Sequence, residues 1–366
     1  MLDSNRQWRL VSYPEGMPSE SDWEMSESPI PEPGDGEMLV RAIYLDVAPY
    51  MRARISPQKN YAAGVGPGDV MLGGAIGEVV HSNIPAYKPG DFVVSDTTFG
   101  WQDFAVLSPS LVRRIDTDIA PLPCWLDFMG LNGLTAYIGL VDAGQIKPGD
   151  TVLISAAAGS VGQIAGQIAK LAGCRAIAVT SSEEKIAQYR ELGYDAGINY
   201  RTEPDLAAAV ARVCPEGVDV FFDNTAGPIH DAVLHNLAMH SRIIVCGTVR
   251  LADRFGQPNI GPRFMREILF SRARIQGFLV SDYQHQSPEA RTRLASWHRS
   301  GNLKFQYDIA DGLENTPNAF LRVLTSKNLG KQLLRVGVDH QGSIRDSRIA
   351  VSPGIRAVMG PSLAWD

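Results

Sequence analysis

Cysteine is scarce in this chain: four residues in 366, at positions 124, 174, 214 and 246, and none before position 124. Each stands alone in an apolar or element-end setting without C-x-x-C spacing. That excludes a thiolate zinc cluster and a disulfide framework, and predicts buried, reduced thiols. A basic surplus is also missing. Lys and Arg total 34 against 40 Asp and Glu, a formal net charge of −6, and aromatic and basic residues do not interleave, so nucleic acid is not an expected partner. No apolar run approaches the roughly 18 residues of a membrane span. Met1-Leu-Asp-Ser-Asn-Arg6 is polar and charged, with no apolar stretch of signal-peptide length. The expectation is a cytoplasmic protein with no membrane partner.

What is present is enough apolar residue, 45% of the chain, to bury a sizeable core, over a length that suits two domains. Residues 36–115 read as short β segments at 36–44, 74–80, 91–94 and 101–106, separated by turns rich in Pro and Gly. After a helical stretch at about 127–143, strands and helices alternate for some 150 residues, which predicts a doubly wound parallel sheet. Its expected strands are 151–155, 176–179, 218–223, 242–246 and 274–280, with helices at 183–192 and 205–213 among the connections. Helices near 294–300 and 316–325 and a strand at 331–336 return the chain to the first domain. Residues 339–366, rich in Gly, Pro, Ser and Arg, read as a mobile tail.

Ser155-Ala-Ala-Ala-Gly-Ser-Val-Gly162 is one glycine short of G-x-G-x-x-G, and its context decides how to read it. A buried strand, Thr151–Ser155, precedes the glycines. Ile164, Ile168 and Leu171 follow at helical spacing, Gly162, Ala165, Gly166 and Ala169 leave room for close helix-to-sheet packing, and Gly173 ends the helix before the next strand. The glycines therefore sit at the strand-to-helix turn of a βαβ unit, where backbone N–H groups receive a dinucleotide pyrophosphate.

About 20 residues further on, where an NAD site carries an Asp or Glu for the adenosine ribose, the chain has Thr180, Ser181 and Ser182. No carboxylate stands there to repel a 2′-phosphate. Lys185, one helical turn on, offers a cation, which favours NADPH; Ser181 and Glu184 also fit a helix capping box. A catalytic zinc cannot be assembled in the β-rich part, whose one histidine, His81, lies beyond the end of a strand. Chemistry here rests on hydride transfer and on hydrogen-bond donors such as tyrosine.

Seven stretches now carry a resemblance: APYMRAR (48–54), GLTAY (133–137), the glycine turn and its helix (155–174), FFDNTAG (221–227), RIIVCG (242–247), GFLVSDY (277–283) and KNLGK (327–331). In this order they resemble the zinc-independent medium-chain dehydrogenase/reductases, in the branch of the prostaglandin, plant double-bond and bacterial curcumin reductases. The likeness covers about residues 5–338. It implies an α/β fold with a GroES-like β-rich catalytic domain at 1–130 and 301–338, a doubly wound Rossmann domain at 131–300, and a homodimer. It also implies NADPH-dependent reduction of the carbon–carbon double bond of α,β-unsaturated ketones or aldehydes. Gly73-Gly74-Ala75 stands where zinc alcohol dehydrogenases place Gly-His-Glu.

Carried over by position, the resemblance puts Gly159, Ser160, Val161 and Gly162 on the pyrophosphate, and Ser181, Lys185 and Tyr200 around the 2′-phosphate end. Thr135, Asn224, Cys246, Gly247, Thr248, Phe278, Leu279, Val280, Asn328 and Gly330 line the rest of the cofactor cleft. Tyr50 and Tyr61 are the catalytic candidates; Met51, Arg52, Tyr283 and Ala252 belong to the substrate wall, and no residue is assigned to a metal.

Two departures stand out. Ala48 replaces the usual Asp before PYMR, and Ala252 replaces a tyrosine that covers the nicotinamide. With Arg250 and Arg254 nearby, Ala252 is expected to leave a wider, positively charged opening that suits a bulky or acidic enone, such as a biosynthetic intermediate. The donor to the developing enolate is then Tyr61, Tyr50 or a ribose hydroxyl. An NADPH–quinone reductase and an NADPH-binding protein without turnover are the competing readings.

Overall fold

Two kinds of apolar pattern sort the strands into two large sheets. The computed structural model describes residues 3–58, 60–254 and 257–342, and the backbone alone of 349–353. The β-rich part contains β1 (Asn5–Leu10), β2 (Trp23–Ser28), β3 (Met38–Asp46), the short helix α1 (Met51–Arg54), β4 (Ala75–Ser82), β5 (Phe92–Ser95), β6 (Phe104–Leu107) and β7 (Arg113–Arg114). β1 and β2 form an antiparallel ribbon. β3, almost wholly buried, pairs antiparallel with both β4 and β6. Trp23, Trp101 and Phe320 meet in its core with centroids 5.5–5.9 Å apart, Phe320 edge-on to both indoles.

The chain then enters α2 (Leu131–Ile138) and the alternating unit: β8 (Thr151–Ser155), α3 (Ser160–Leu171), β9 (Arg175–Thr180), α4 (Glu183–Glu191), β10 (Ala196–Asn199), α5 (Leu206–Val213), β11 (Val218–Asp223), α6 (Gly227–Leu234), β12 (Leu237–Val245), α7 (Met265–Ser271), β13 (Arg274–Gly277) and α8 (Ser287–Arg299). The six strands pair in the order β10-β9-β8-β11-β12-β13, all parallel. In chain order that is 3-2-1-4-5-6, the doubly wound dinucleotide-binding arrangement. β8 reads Val-Leu-Ile without alternation because helices cover both faces of a parallel sheet.

The small residues of α3 have a definite use. A Cβ on Gly166 would lie 2.0 Å from the Tyr194 ring, whose hydroxyl donates to the Gly162 carbonyl at 2.7 Å. The tyrosine thus lies flat on the helix, in space that only glycine leaves.

β14 (Phe305–Asp311), α9 (Thr316–Leu324) and β15 (Lys331–Arg335) return to the first sheet, where β15 pairs antiparallel with β3. Phe128 and Phe305 stack at 4.3 Å, and one apolar cluster runs from Ile43 and Tyr44 of β3 to Ile164 and Ile168 of α3, so a single core joins both parts. The tail differs from expectation. Residues 349–353 form β16, which pairs parallel with β14 and extends the first sheet to eight strands; 343–348 and 354–366 lie outside the described residues.

Candidate active-site cleft

The C-terminal ends of the parallel strands define the cleft, and its centre is the switch point between β8 and β11. Ser155, the last residue of β8, donates its hydroxyl to Asp223 of β11 at 2.8 Å. Asn224 returns two bonds, its N–H to Ser155 Oγ and its side-chain amide to the Ser155 carbonyl, both 2.8 Å. Asp223 also accepts from the N–H groups of Thr225 and Ala226 and faces His230 Nδ1 at 2.8 Å. Burial alone would raise its pKa; His230 and the two N–H groups outweigh that and hold the carboxylate below its ordinary range. The floor of the cleft is therefore rigid.

Gly159 caps α3, and the N–H groups of Ser160, Val161 and Gly162 open the helix without intrahelical partners. A Cβ on Gly162 would lie 2.6 Å from the Ala156 carbonyl oxygen, so the turn closes only around glycine. Gly330 closes it from above: its N–H donates to the Ala158 carbonyl at 2.9 Å, and its φ of +71° and closeness to the Gln306 carbonyl admit no side chain. Asn328 donates to the Gly330 carbonyl at 2.9 Å and shapes this loop. Ser160 does not point its hydroxyl outward but donates it to buried Asp127. Burial pushes the pKa of that carboxyl up to about 6 despite the Ser160 bond.

At the far end, β9 and β10 bring Ser181, Lys185 and Tyr200 together, with the Tyr200 N–H on the Thr180 carbonyl at 3.0 Å. Lys185 Nζ donates to the Ser326 carbonyl at 2.8 Å; burial, then the charge of Arg201, pushes its pKa down to about 8. Arg201, which reaches the Thr325 carbonyl at 3.3 Å, was not among the residues expected here, though it directly follows Tyr200. The capping box is also displaced. Ser181 is buried at the strand end, and Ser182 is the N-cap, accepting from the Lys185 N–H at 3.3 Å.

Beyond β12, the N–H groups of Cys246 and Gly247 both donate to the Asp223 carbonyl, at 2.8 and 3.0 Å, and Thr248 caps a short 3₁₀ turn. Phe278 is buried in the core with its N–H on the Val245 carbonyl at 3.1 Å, while Leu279 and Val280 are half-buried beside it. Tyr283 packs on the Phe278 ring at 5.4 Å. Thr135 is half-buried and spends its proton on the Leu131 carbonyl at 2.7 Å, which leaves its oxygen as an acceptor.

The β-rich part supplies the opposite wall from α1 and the segment that follows it. Tyr50 caps α1, and burial and then Asp46 hold its phenol well above the ordinary pKa. Asp46 pairs with Lys331 across a buried contact. Met51 is fully buried. Tyr61 is 63% exposed, and its phenol is still held above its ordinary pKa, first by the surrounding protein and then by Cys246, with Arg54 opposing.

Two expectations for this wall change. Ala252 leaves no opening: it is 4% exposed, packed in the core of the β-rich part, and its carbonyl accepts from Arg52 Nε at 2.9 Å. Arg52, 4% exposed, also donates to the Gly16 and Ile55 carbonyls and so clasps loops instead of facing a substrate. Arg254 points into solvent, with 70% of its side chain exposed. At Gly74 a Cβ would lie 2.5 Å from the Asp96 carbonyl oxygen, so no histidine fits there without movement of that strand. Among the described residues no group of three His, Cys, Asp or Glu side chains is gathered to hold a metal ion.

Residues 6–115 match the family described as the N-terminal domain of oxidoreductase, and residues 160–296 match the one described as zinc-binding dehydrogenase. The chain is 41% identical to the putative NADP-dependent oxidoreductase YfmJ of Bacillus subtilis, over 92% of this chain and 99% of that one. It is 38% identical to the NADPH-dependent curcumin reductase of Escherichia coli, over 92% and 98%. The crystal structure of CurA from Vibrio vulnificus in complex with NADPH superposes with a TM-score of 0.86 at 37% identity, covering 91% of this chain and all of that one. The chain belongs to the medium-chain dehydrogenase/reductase family, in the branch of the NADP-dependent curcumin, prostaglandin and alkenal reductases.

Proposed function

We propose that this protein is an NADPH-dependent ene-reductase that saturates the carbon–carbon double bond of α,β-unsaturated ketones or aldehydes. The observation that carries the reading is the open N-terminus of α3 at the switch point of a doubly wound sheet, in a turn that closes only around Gly162 and Gly330. Such a turn receives a dinucleotide pyrophosphate, and exposed Tyr61 of the β-rich part is the phenol assigned here as donor. The relative named for curcumin acts on a conjugated enone, which supports the chemistry.

The residues fit NADPH. The open N–H groups of α3 and its positive N-terminus would take the pyrophosphate. Lys185, Arg201 and Tyr200 would take the 2′-phosphate, and Thr135 would accept from the nicotinamide amide. Bound NADPH would supply the hydride that the β-carbon of the enone receives. The Tyr61 hydroxyl donates to the carbonyl oxygen as negative charge develops there, and solvent delivers the α-proton through the exposed side of that phenol. The Asp223 network fixes the Cys246–Thr248 backbone against which the ring of the cofactor would rest. We take residues 1–130 with 301–338 as the catalytic unit and 131–300 as the nucleotide unit. No zinc participates in this reading.

The protein is proposed to act as a homodimer in the cytoplasm. β13 is one of the two edges of the six-stranded sheet, and α7, which leads into it and packs on β12, exposes Met265, Leu269 and Phe270 at 67, 70 and 69%. A second copy of the same edge would cover this apolar face, and that is the dimer contact proposed. Free thiols at all four cysteines suit a reducing compartment.

Enones, enals and quinones incubated with the enzyme and NADPH, with products identified by mass, test the activity. Saturated ketones or aldehydes are expected. Turnover of quinones alone, or no NADPH consumption with any member, overturns the reading.

A further inference from the structure

Gly330 comes to the pyrophosphate turn from the other part of the chain, and a pair of buried amides fixes its approach. Gln163 and Gln167 lie one turn apart on α3, both buried. Gln163 accepts from the Gln306 N–H at 2.9 Å and donates to the Gln306 carbonyl at 3.3 Å. Gln167 does the same for Lys304, at 2.8 Å in each direction, and also donates to the Gln163 carbonyl at 2.9 Å. Four residues of helix rise about 6 Å and two residues of strand about 6.6 Å, so the two amides meet alternate residues of the segment entering β14 much as a neighbouring strand would.

Gln306 is in turn the seat of Gly330. A Cβ on Gly330 would lie 2.0 Å from the Gln306 carbonyl oxygen, so the two backbones touch. Gly330 donates its N–H to the Ala158 carbonyl at 2.9 Å and bridges Gly159 as a parallel partner. The Gln163 N–H, bonded to the Gly159 carbonyl at 2.9 Å, begins the ladder of α3 just after the open N–H groups. A ring therefore runs from Gly159 through Gln163, Gln306 and Gly330 back to Ala158 and Gly159, and its side-chain link is Gln163. The far end of the same loop is held separately, by Lys185 on the Ser326 carbonyl at 2.8 Å and Arg201 on the Thr325 carbonyl at 3.3 Å.

We infer that Gln163 is a positioning residue for the cofactor: acting through Gln306, it seats Gly330 on the turn that receives the pyrophosphate. Gln163 is 0% exposed and acts without touching the cofactor itself. Without its amide, the Gln306 N–H and carbonyl lose their partners in a buried interface, and a shift of β14 that relieves this carries Gly330 away from Ala158. The inference rests on NADPH as the cofactor and not on the reaction catalysed.

The test is binding, measured for NADPH by fluorescence titration and for 2′-AMP, which carries the 2′-phosphate but no pyrophosphate, by calorimetry. Gln163→Met is expected to weaken NADPH about five- to fiftyfold and 2′-AMP by less than about twofold. Gln167→Met removes an equally buried amide that does not reach Gln306; it is expected to melt lower but to lose less than about threefold in NADPH affinity. Gly330→Ala displaces the loop directly, so the double variant with Gln163→Met is expected to lose no more NADPH affinity than the worse single one. Unchanged NADPH affinity in Gln163→Met, equal losses for NADPH and 2′-AMP, or losses as large in Gln167→Met overturn the inference. If Gln163→Met does not fold, Gln163→Ala, which leaves room for water at Gln306, is expected to give the same pattern and is judged by the same outcomes. A wild type that does not bind NADPH is a different failure: it removes the cofactor reading and the inference with it.

Discussion

Arg52 Nε donates to the Ala252 carbonyl at 2.9 Å, and this bond ties the helix of the substrate wall to the loop that follows β12. The same guanidinium holds the Gly16 carbonyl at 2.9 Å, so three segments distant in sequence meet on one side chain. Ala252 is packed beneath it. A tyrosine at position 252 therefore has no vacancy to fill. Ala252→Tyr is expected to lower stability by about 1 to 3 kcal/mol through overpacking, measured by denaturant unfolding, and to reduce turnover of small enones. A stable variant with faster small-enone turnover contradicts this account of the loop.

Lys185 is the residue proposed to set the cofactor preference. Lys185→Ala is expected to weaken NADPH binding by about 1.5 to 3 kcal/mol, the value of a hydrogen bond to a charged group, and to leave NADH nearly unaffected. The pH dependence has a definite sign. Burial and Arg201 push the Lys185 pKa down to about 8, and a 2′-phosphate prefers the protonated form. NADPH affinity is therefore full below that value and falls as pH rises toward about 9, whereas NADH affinity stays flat over the same span. Fluorescence titration of both cofactors measures this, and parallel curves would count against a 2′-phosphate at Lys185.

Much of this was legible in the sequence, and the gaps have physical causes. β8 and the glycine turn are local signals: a continuous apolar run, glycines at a strand end, then helical spacing. β1 and β2 give little signal because β2 is largely exposed and polar, as in Trp23-Glu-Met-Ser-Glu-Ser28, and β1 buries polar Asn5 and Gln7 in place of an apolar face. The Arg54 guanidinium lies 5.3 Å from the centre of the Tyr50 ring, a contact that no local pattern shows. Asp46 is unavailable to it because Lys331, 285 positions away, has already paired with that carboxylate. Arg52, in the same motif, looks equivalent in sequence but is consumed by carbonyls. The burial of Ala252 is likewise a tertiary fact: no pattern within the loop shows that it docks on the other part of the chain.

Asp127 should make the fold pH-dependent. Burial pushes its pKa up to about 6, above the unfolded value of about 3.9. The folded state thus holds the proton more tightly. Its contribution to stability is fully present below the unfolded value and is lost as pH rises through about 6. Asp127→Asn keeps an acceptor for Ser160 without the charge. It is expected to be more stable than the wild type at neutral pH by about 1 to 3 kcal/mol, a gap that narrows in acid. Unfolding curves at both pH values that show the same difference would remove Asp127 as the cause.

Metal removal is expected to have no effect. A Cβ at Gly74 would clash with the Asp96 carbonyl, so this position cannot offer a ligand as it stands. Turnover should survive prolonged treatment with a chelator, and elemental analysis should find no stoichiometric zinc. Chelator-sensitive activity that added zinc restores would require a site built differently from this cleft.

Tyr50 and Tyr61 are both placed on the wall, but their hydroxyls are not equivalent. The Tyr50 hydroxyl is buried and meets no hydrogen-bond partner, while Tyr61 is 63% exposed. Tyr61→Phe is therefore expected to lower turnover by about 10- to 1,000-fold, in the range of an oxyanion-site donor, and Tyr50→Phe by less. Because the Tyr61 pKa is raised above 10, the donor stays protonated through neutral and mildly alkaline pH, and the wild-type rate should show no loss attributable to it below that value. Single-turnover hydride transfer on a neutral enone separates the two variants from effects on product release. Full-rate hydride transfer in Tyr61→Phe, with Tyr50→Phe impaired, would move the donor beneath the wall; full rates in both would leave a ribose hydroxyl of the bound cofactor or water as the group that meets the enolate.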